Sequence, residues 1–279
     1  MGNMALSKLE LNIPHPAYDP DRESHTFYTA YYKYSGRDRK NKAWENRDDS
    51  PDESRASLIR KVHPIIDSLP KGSIVLDIGA GRQIFEREYE NEYGKPSCQI
   101  VTMDISEIDK QRLLAEGYPH VTASGRQMPF ADEKFDAVIS NMAFDFMPPE
   151  ALPELRRVAK SGASIFLNLH HPSLVNYDID RELSKVTRKM RYEGLFRKTN
   201  SEKLRLKRAV FLHHKHLRDN KLLFKTPDEI KKYFSEGCLE VTTVEIKSDL
   251  TDRWWEVNLV KPYDNSKQAF PTNGSIFES

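Results

Sequence analysis

Asp77-Ile78-Gly79-Ala80-Gly81 sets an acid two residues before a Gly-x-Gly turn. Glycines there let a ligand approach the backbone where no Cβ intervenes, beside the unpaired N–H groups that open a helix. Further polar groups follow at intervals: Asp104, Ser124, Asn141, Asp145 and the pair His170-His171. A carboxylate placed like Asp104 accepts from both hydroxyls of a ribose diol. Histidine titrates near neutrality and can take a proton from a nucleophile, and Asp145 could orient an amine or hydroxyl. The chemistry suggested is a nucleoside-type ligand beside a proton acceptor. Two nucleotide schemes fail on spacing. A dinucleotide fingerprint needs a small residue where this chain has Ile84, and no Gly-Lys-Ser/Thr follows the turn to make a Walker loop. His213, His214 and His216 have no carboxylate or cysteine at metal-ligand spacing, so no metal is expected.

These residues need strands to hold them. Ser73–Ile78 is a short apolar run with β-branched residues, the pattern of a buried parallel strand. Gln99–Met103, Pro119–Ala123, Asp136–Ser140 and Ala163–Leu169 repeat it, with helices expected at Ile108–Glu116 and at Ala151–Lys160, the latter stopped by Gly162. Ser57–Leu69 reads as an amphipathic helix ahead of the first strand. Thr226-Pro227 caps a helix running to Ser235, and Leu239–Ile246 and Trp254–Val260 read as two last strands. Strands alternating with amphipathic helices mean a parallel sheet covered on both faces. Ligands bind such sheets beyond the carboxyl ends of the strands, where the winding reverses. Asp77, Gly79, Asp104, Ser124, Asn141 and His170 all fall at those ends and should line one edge.

The chain is 279 residues with a net charge of +1, so no overall field draws it to nucleic acid. The charge is uneven, however: residues 181–225 hold 15 Lys/Arg against 4 Asp/Glu. Residues 1–24 read as an extended, proline-spotted arm. From His25 to Trp44, Phe27, Tyr28, Tyr31, Tyr32, Tyr34 and Trp44 form an aromatic cluster suited to a lid. Cys98 and Cys238 fit buried thiols in a reducing compartment. No signal pattern or membrane-length apolar run is present, and a cytoplasmic protein is expected.

The run Gln127-Met128-Pro129-Phe130-Ala131-Asp132-Glu133-Lys134-Phe135-Asp136-Ala137-Val138-Ile139-Ser140-Asn141 resembles a hallmark of class I S-adenosylmethionine-dependent methyltransferases. In that family "Leu-Pro-Phe-x-Asp-x-x-Phe-Asp-x-Val" leads into the fourth strand. Leu152–Gly162 is similar to the helix before the family's fifth strand, Val75–Gly81 to its first motif and Asp104 to its second. The resemblance covers residues 55–170 well and 226–261 loosely. It implies a Rossmann-like, doubly wound α/β fold with a seven-stranded sheet, mostly parallel with one antiparallel strand. An N-terminal helical lid and a helical insertion after strand 5 are added to it. The implied organisation is an arm and lid over 1–54, a cofactor-binding core over 55–172, a basic insertion or substrate cap over 173–225, the rest of the core over 226–263, and a tail over 264–279.

The implied cofactor is S-adenosylmethionine, lined by Asp77, Gly79, Ala80, Gly81, Asp104, Ile105, Ser124, Gly125, Asn141 and Tyr28. His170, His171 and Asp145 are the catalytic candidates. The expected activity is methyl transfer to an oxygen or nitrogen of a small organic acceptor, natural-product-like or tethered to an acidic carrier protein. The alternatives are an RNA acceptor held by residues 181–225 and a cofactor-binding protein without catalysis. Two departures stand out. Gln83 replaces the family's third glycine and should narrow the turn beside the methionine end. Ser124 replaces an acid near the adenine.

Overall fold

The computed structural model describes residues 20–35, 53–108, 113, 115–172, 223–248 and 253–263. Residues 173–222 of the basic insertion, the tail after 263, most of the expected helix over 108–116 and the lid beyond residue 35 lie outside them. Seven strands form one sheet: β1 Ile74–Ile78, β2 Gln99–Asp104, β3 His120–Thr122, β4 Phe135–Asn141, β5 Ala159–His170, β6 Glu240–Ser248 and β7 Arg253–Val260. Their order is β3-β2-β1-β4-β5-β7-β6. Strands β1 to β5 are parallel, and β7 runs antiparallel to both β5 and β6. The winding reverses at β1, so the carboxyl ends of β1 and β4 flank the switch point.

Strand alternation sends side chains to two cores. On one face Leu76, Ile78, Val138, Ile165 and Leu167 pack with helix α4 (Ala151–Val158) and helix α5 (Pro227–Glu236). On the other, Val75, Ile100, Ala137, Ile139 and Phe166 meet helix α2 (Glu53–Ser68) and helix α3 (Ile84–Tyr93). Leu58, Ile59, Val62 and Ile66 make the buried stripe of α2 at helical spacing. Burial of such side chains contributes roughly 1.5–3 kcal/mol each. Helix α5 is capped as its sequence implies: the Glu229 N–H donates to Thr226 Oγ1 at 3.2 Å, with Pro227 in the first turn.

Several boundaries differ from the sequence reading. Helix α1 spans Pro20–Ser35 and so begins inside the stretch read as an extended arm. Pro20 and the acids Asp21 and Glu23 open it, which suits a helix start. Helix α2 starts at Glu53, earlier than Ser57. Helix α4 ends at Val158 and β5 begins at Ala159, because Ala159 pairs with Phe135 at the base of β4. Gly162 is therefore a strand residue. It holds φ 81° where the Tyr263 hydroxyl would lie 2.5 Å from an added Cβ.

Candidate functional site

Backbone geometry builds the turn after β1. The N–H groups of Gly79 and Ala80 donate to the Met103 carbonyl at 2.7 and 3.1 Å, tying the turn to the end of β2. Gly79 has φ 77°, and a Cβ there would sit 2.2 Å from the Ala143 Cβ in the loop after β4. The neighbouring strand end approaches so closely that only glycine fits. Asp104 completes the turn from β2: the Gly81 N–H donates to its Oδ2 at 2.9 Å, while the N–H and Oγ of Ser106 donate to Oδ1 at 2.9 and 2.5 Å. Ile105 lies between these two anchors. A carboxylate offers about four lone-pair positions, so the three donors orient Asp104 and leave it capacity to accept a further hydrogen bond.

Gln83 does not narrow the turn. Its backbone takes the left-handed conformation (φ 64°) that a third glycine would adopt without strain, at about 1–2 kcal/mol for a residue with a Cβ. Its side chain points inward instead: Nε2 donates to Thr102 Oγ1 at 2.9 Å and to the Tyr118 carbonyl at 3.1 Å.

Beneath the turn lie two carboxyls, Asp77 from β1 and Glu86 from α3, buried and in contact with one another. Burial, then the Glu86 and Asp104 charges, raises Asp77 well above the usual carboxylate range. Burial likewise raises Glu86 to about 7. Glu86 escaped the sequence reading because a charged residue on a helix is expected to face water. The available signal was its place between Phe85 and Tyr89, on the buried side of α3.

At the other end of the edge, Asp145 is fully buried in a single 3-10 turn, Phe144–Phe146, which follows β4. Its Oδ2 accepts from the His170 backbone N–H at 2.9 Å and lies 2.9 Å from His170 Nδ1. Phe146 packs on the same imidazole, centroids 4.4 Å apart. A neutral ring that donates from Nδ1 carries its lone pair on Nε2. His171, one residue on, is turned elsewhere. Its ring packs against Trp255 at 5.4 Å, and burial, aided by Arg253, holds its pKa below the ordinary histidine value. Asn141 closes the back of the edge: its Oδ1 accepts from Asn168 Nδ2 at 3.0 Å, and that same amide donates to the Ser54 carbonyl at 2.6 Å.

Helix α1 crosses the edge above β2 and β3. The Glu107 N–H donates to Thr29 Oγ1 at 3.0 Å, and Ser124 Oγ donates to Asp21 Oδ2 at 2.7 Å. Beside Ser124, Gly125 lies under Met147, whose sulfur would be 2.8 Å from an added Cβ. The Tyr28 phenol is held far above its ordinary pKa by burial and then by the charges of Asp104 and Asp145, so it stays protonated between the two ends of the edge. Asp21 was absent from the sequence candidates, since its stretch read as extended. It brings a carboxylate to Ser124, where the family pattern has an acid.

The run 127–141 serves the scaffold. Glu154 accepts from the Met128 N–H at 2.7 Å, and Arg157 donates to the carbonyls of Met128 and Phe130 at 2.9 and 2.7 Å. Asp136 accepts from the Ile74 N–H at 2.9 Å and from Lys160 at 2.6 Å, pinning β4 to β1.

The donor set fits a cationic nucleoside. Asp77, Asp104 and Asp145 lie along one edge, and among the described residues none is ion-paired with lysine or arginine. A sulfonium carrying an ammonium complements that charge, and Asp104 suits its ribose. Among the described residues no three His, Cys, Asp or Glu side chains are placed to hold a metal.

A family model described as a methyltransferase domain matches residues 76–167. An uncharacterized protein of Methanocaldococcus jannaschii is 25% identical over 205 residues, 70% of this chain and 92% of that protein. A tRNA (carboxymethyluridine(34)-5-O)-methyltransferase of Arabidopsis thaliana is 29% identical over 119 residues, 39% of this chain but only 27% of that protein. Among solved structures, a chain of the complex between the Haloferax volcanii Trm112 methyltransferase activator and its partner protein shares the fold at TM-score 0.55 and 14% identity, covering 84% of this chain and 98% of that one. Magnesium protoporphyrin IX methyltransferase from Synechocystis PCC 6803, with bound S-adenosylhomocysteine, has TM-score 0.54 and 14% identity, covering 87% and 100%.

Proposed function

We propose that this protein, whose α/β core belongs to the class I S-adenosylmethionine-dependent methyltransferase superfamily, transfers a methyl group to an oxygen or nitrogen of a small organic acceptor. The observation that carries the acceptor chemistry is the pairing of His170 with buried Asp145 at the edge where the cofactor site ends. When bound, S-adenosylmethionine supplies a methyl group on a sulfonium, open to in-line displacement. The chain's own part is to fix the acceptor and manage its proton. His170 takes the proton of an O–H or N–H acceptor at Nε2, and Asp145 holds the ring and stabilises the imidazolium, an effect typically worth 10²–10⁴-fold. Tyr28, kept protonated, can donate to an acceptor oxygen from the lid. Asp104 holds the ribose, Ser124 with Asp21 meets the adenine, and the turn from Gly79 to Gly81 faces the methionine end. Asn141 shapes the pocket wall, and His171, turned toward Trp255, takes no part.

Calorimetric titration with S-adenosylmethionine, followed by a methyl-transfer assay over an acceptor panel of phenols, carboxylic acids and amines, tests this reading. Absence of cofactor binding sinks it, and transfer to amines alone assigns an N-methyltransferase. A second reading, RNA as acceptor, is favoured by the excess of basic residues over 181–225 and by the similarity to a tRNA methyltransferase. It requires tRNA binding that weakens steeply with salt.

A further inference from the structure

Glu86 has no role in the chemistry above, yet it is fully buried and faces another carboxyl. Neither of its oxygens has a hydrogen-bond donor among the described residues, and the group it abuts is Asp77, only 3% exposed. Among the described residues neither acid is ion-paired with a lysine or arginine. Asp104 from β2 is a third acid, itself held by Gly81 and Ser106. Glu90, one turn along α3, accepts from the Tyr118 hydroxyl at 2.9 Å, and Tyr118 is the other group facing Glu86 from the segment before β3. Arg55 of α2, which packs on α3, is committed to Glu88 at 2.6 and 2.9 Å. Two carboxylates in contact, sealed from water and without a cationic partner among the described residues, do not both ionise; one proton between them supplies the missing donor.

We propose that Asp77 and Glu86 share one proton in the cofactor-free protein and release it to solvent when the ammonium of the cofactor's amino-acid end docks against Asp77. Glu86 is then a positioning residue that acts through Asp77, and cofactor binding is coupled to proton release. The charge balances: one proton leaves the pair as one ammonium arrives, so the acids never stand as two bare charges in the core. The inference rests on the methyltransferase reading for the identity of the ligand. Burial raises both acids, and Glu86 to about 7, which sets the range where the coupling is visible.

The test is calorimetric titration of the full chain with S-adenosylhomocysteine at pH 6.5 in two buffers of different ionisation enthalpy. The heat difference counts protons. The expected result is release of roughly 0.5–1 proton per cofactor bound, with affinity rising roughly 10- to 100-fold from pH 5.5 to 7.5. Methylthioadenosine, which keeps the nucleoside and sulfur but has no ammonium, is expected to bind without release. Glu86→Gln is expected to bind with no release and a flat pH profile. Equal heats in both buffers for the native chain overturn the proposal, as does undiminished release by Glu86→Gln. Those outcomes need binding to be present. Loss of all binding at every pH instead removes the methyltransferase reading, and this inference with it.

Discussion

The two ends of the functional edge are built differently. At the β1–β2 end backbone donors predominate: the N–H groups of Gly81 and Ser106 donate to Asp104, and those of Gly79 and Ala80 to the Met103 carbonyl. At the β4–β5 end side chains far apart in sequence hold one another. Asp145 meets His170, Asn141 meets Asn168, and Asn168 reaches Ser54 on α2. The first end is fixed largely by backbone donors, the second by the identity of its side chains. Under the function proposed above, the cofactor meets the first end and the acceptor the second, so a change of acceptor falls on side chains and spares the turn.

Gly79→Ala strikes the seam between the two ends and has the largest expected effect. The new methyl meets Ala143 at 2.2 Å and the backbone is left at φ 77°, costs that together come to roughly 2–5 kcal/mol. Thermal unfolding is the measurement, and Ala143→Gly in the same chain should recover part of the loss. Full stability in Gly79→Ala would mean the two strand ends do not touch as described. His170→Ala should then separate the ends: turnover falls on the order of 10²-fold or more, while cofactor affinity measured by calorimetry stays put. A matching fall in affinity would erase the distinction. Asp104→Ala is the converse, weakening cofactor binding at least about tenfold, or about 1.4 kcal/mol; unchanged affinity removes its ribose role.

The smallest expected effect concerns stability. Glu86 is raised from 4.5 to about 7 in the folded chain, so the native state holds an extra proton between those values. Stability therefore falls as the pH rises from about 4.5 to about 7 and levels off above. Glu86→Gln should remove that slope and raise the melting temperature at pH 8 by a few degrees. An unchanged slope would show that Glu86 is ionised throughout.

The sheet was legible in sequence because parallel strands buried on both faces are near-continuous apolar runs, as Ile74–Ile78 and Phe135–Asn141 are. The last strand and the Thr226 cap were legible for similar local reasons, whereas the antiparallel direction of β7 came only from the family resemblance. The boundary at Ala159 was not, since it is set by pairing with Phe135 rather than by any local breaker. Within the site, Asp77, Gly79 and Asp104 declared themselves through the turn they build. His170 and Asp145 could be named only singly; that they meet, and that His171 does not join them, follows from side-chain direction along β5. The most diagnostic stretch, 127–141, proved to be scaffold: Arg157 and Glu154 staple it and Asp136 sets the register of β1. Asp21 and Glu86 were invisible for opposite reasons, one in a stretch without clear periodicity and one disguised as a surface charge.

The reversal of β7 has a consequence for how the protein is made. A nascent chain that has emerged to residue 172 holds every residue named in the cofactor half and both members of the His–Asp pair. Its fifth strand still lacks a neighbour, because residues 164–170 pair with residues 254–260. Until residues 254–260 emerge, that strand edge stands open, the kind of edge that invites pairing with another chain. Translation that stalls between those points should therefore yield aggregates, and protection of the nascent chain matters most over that interval.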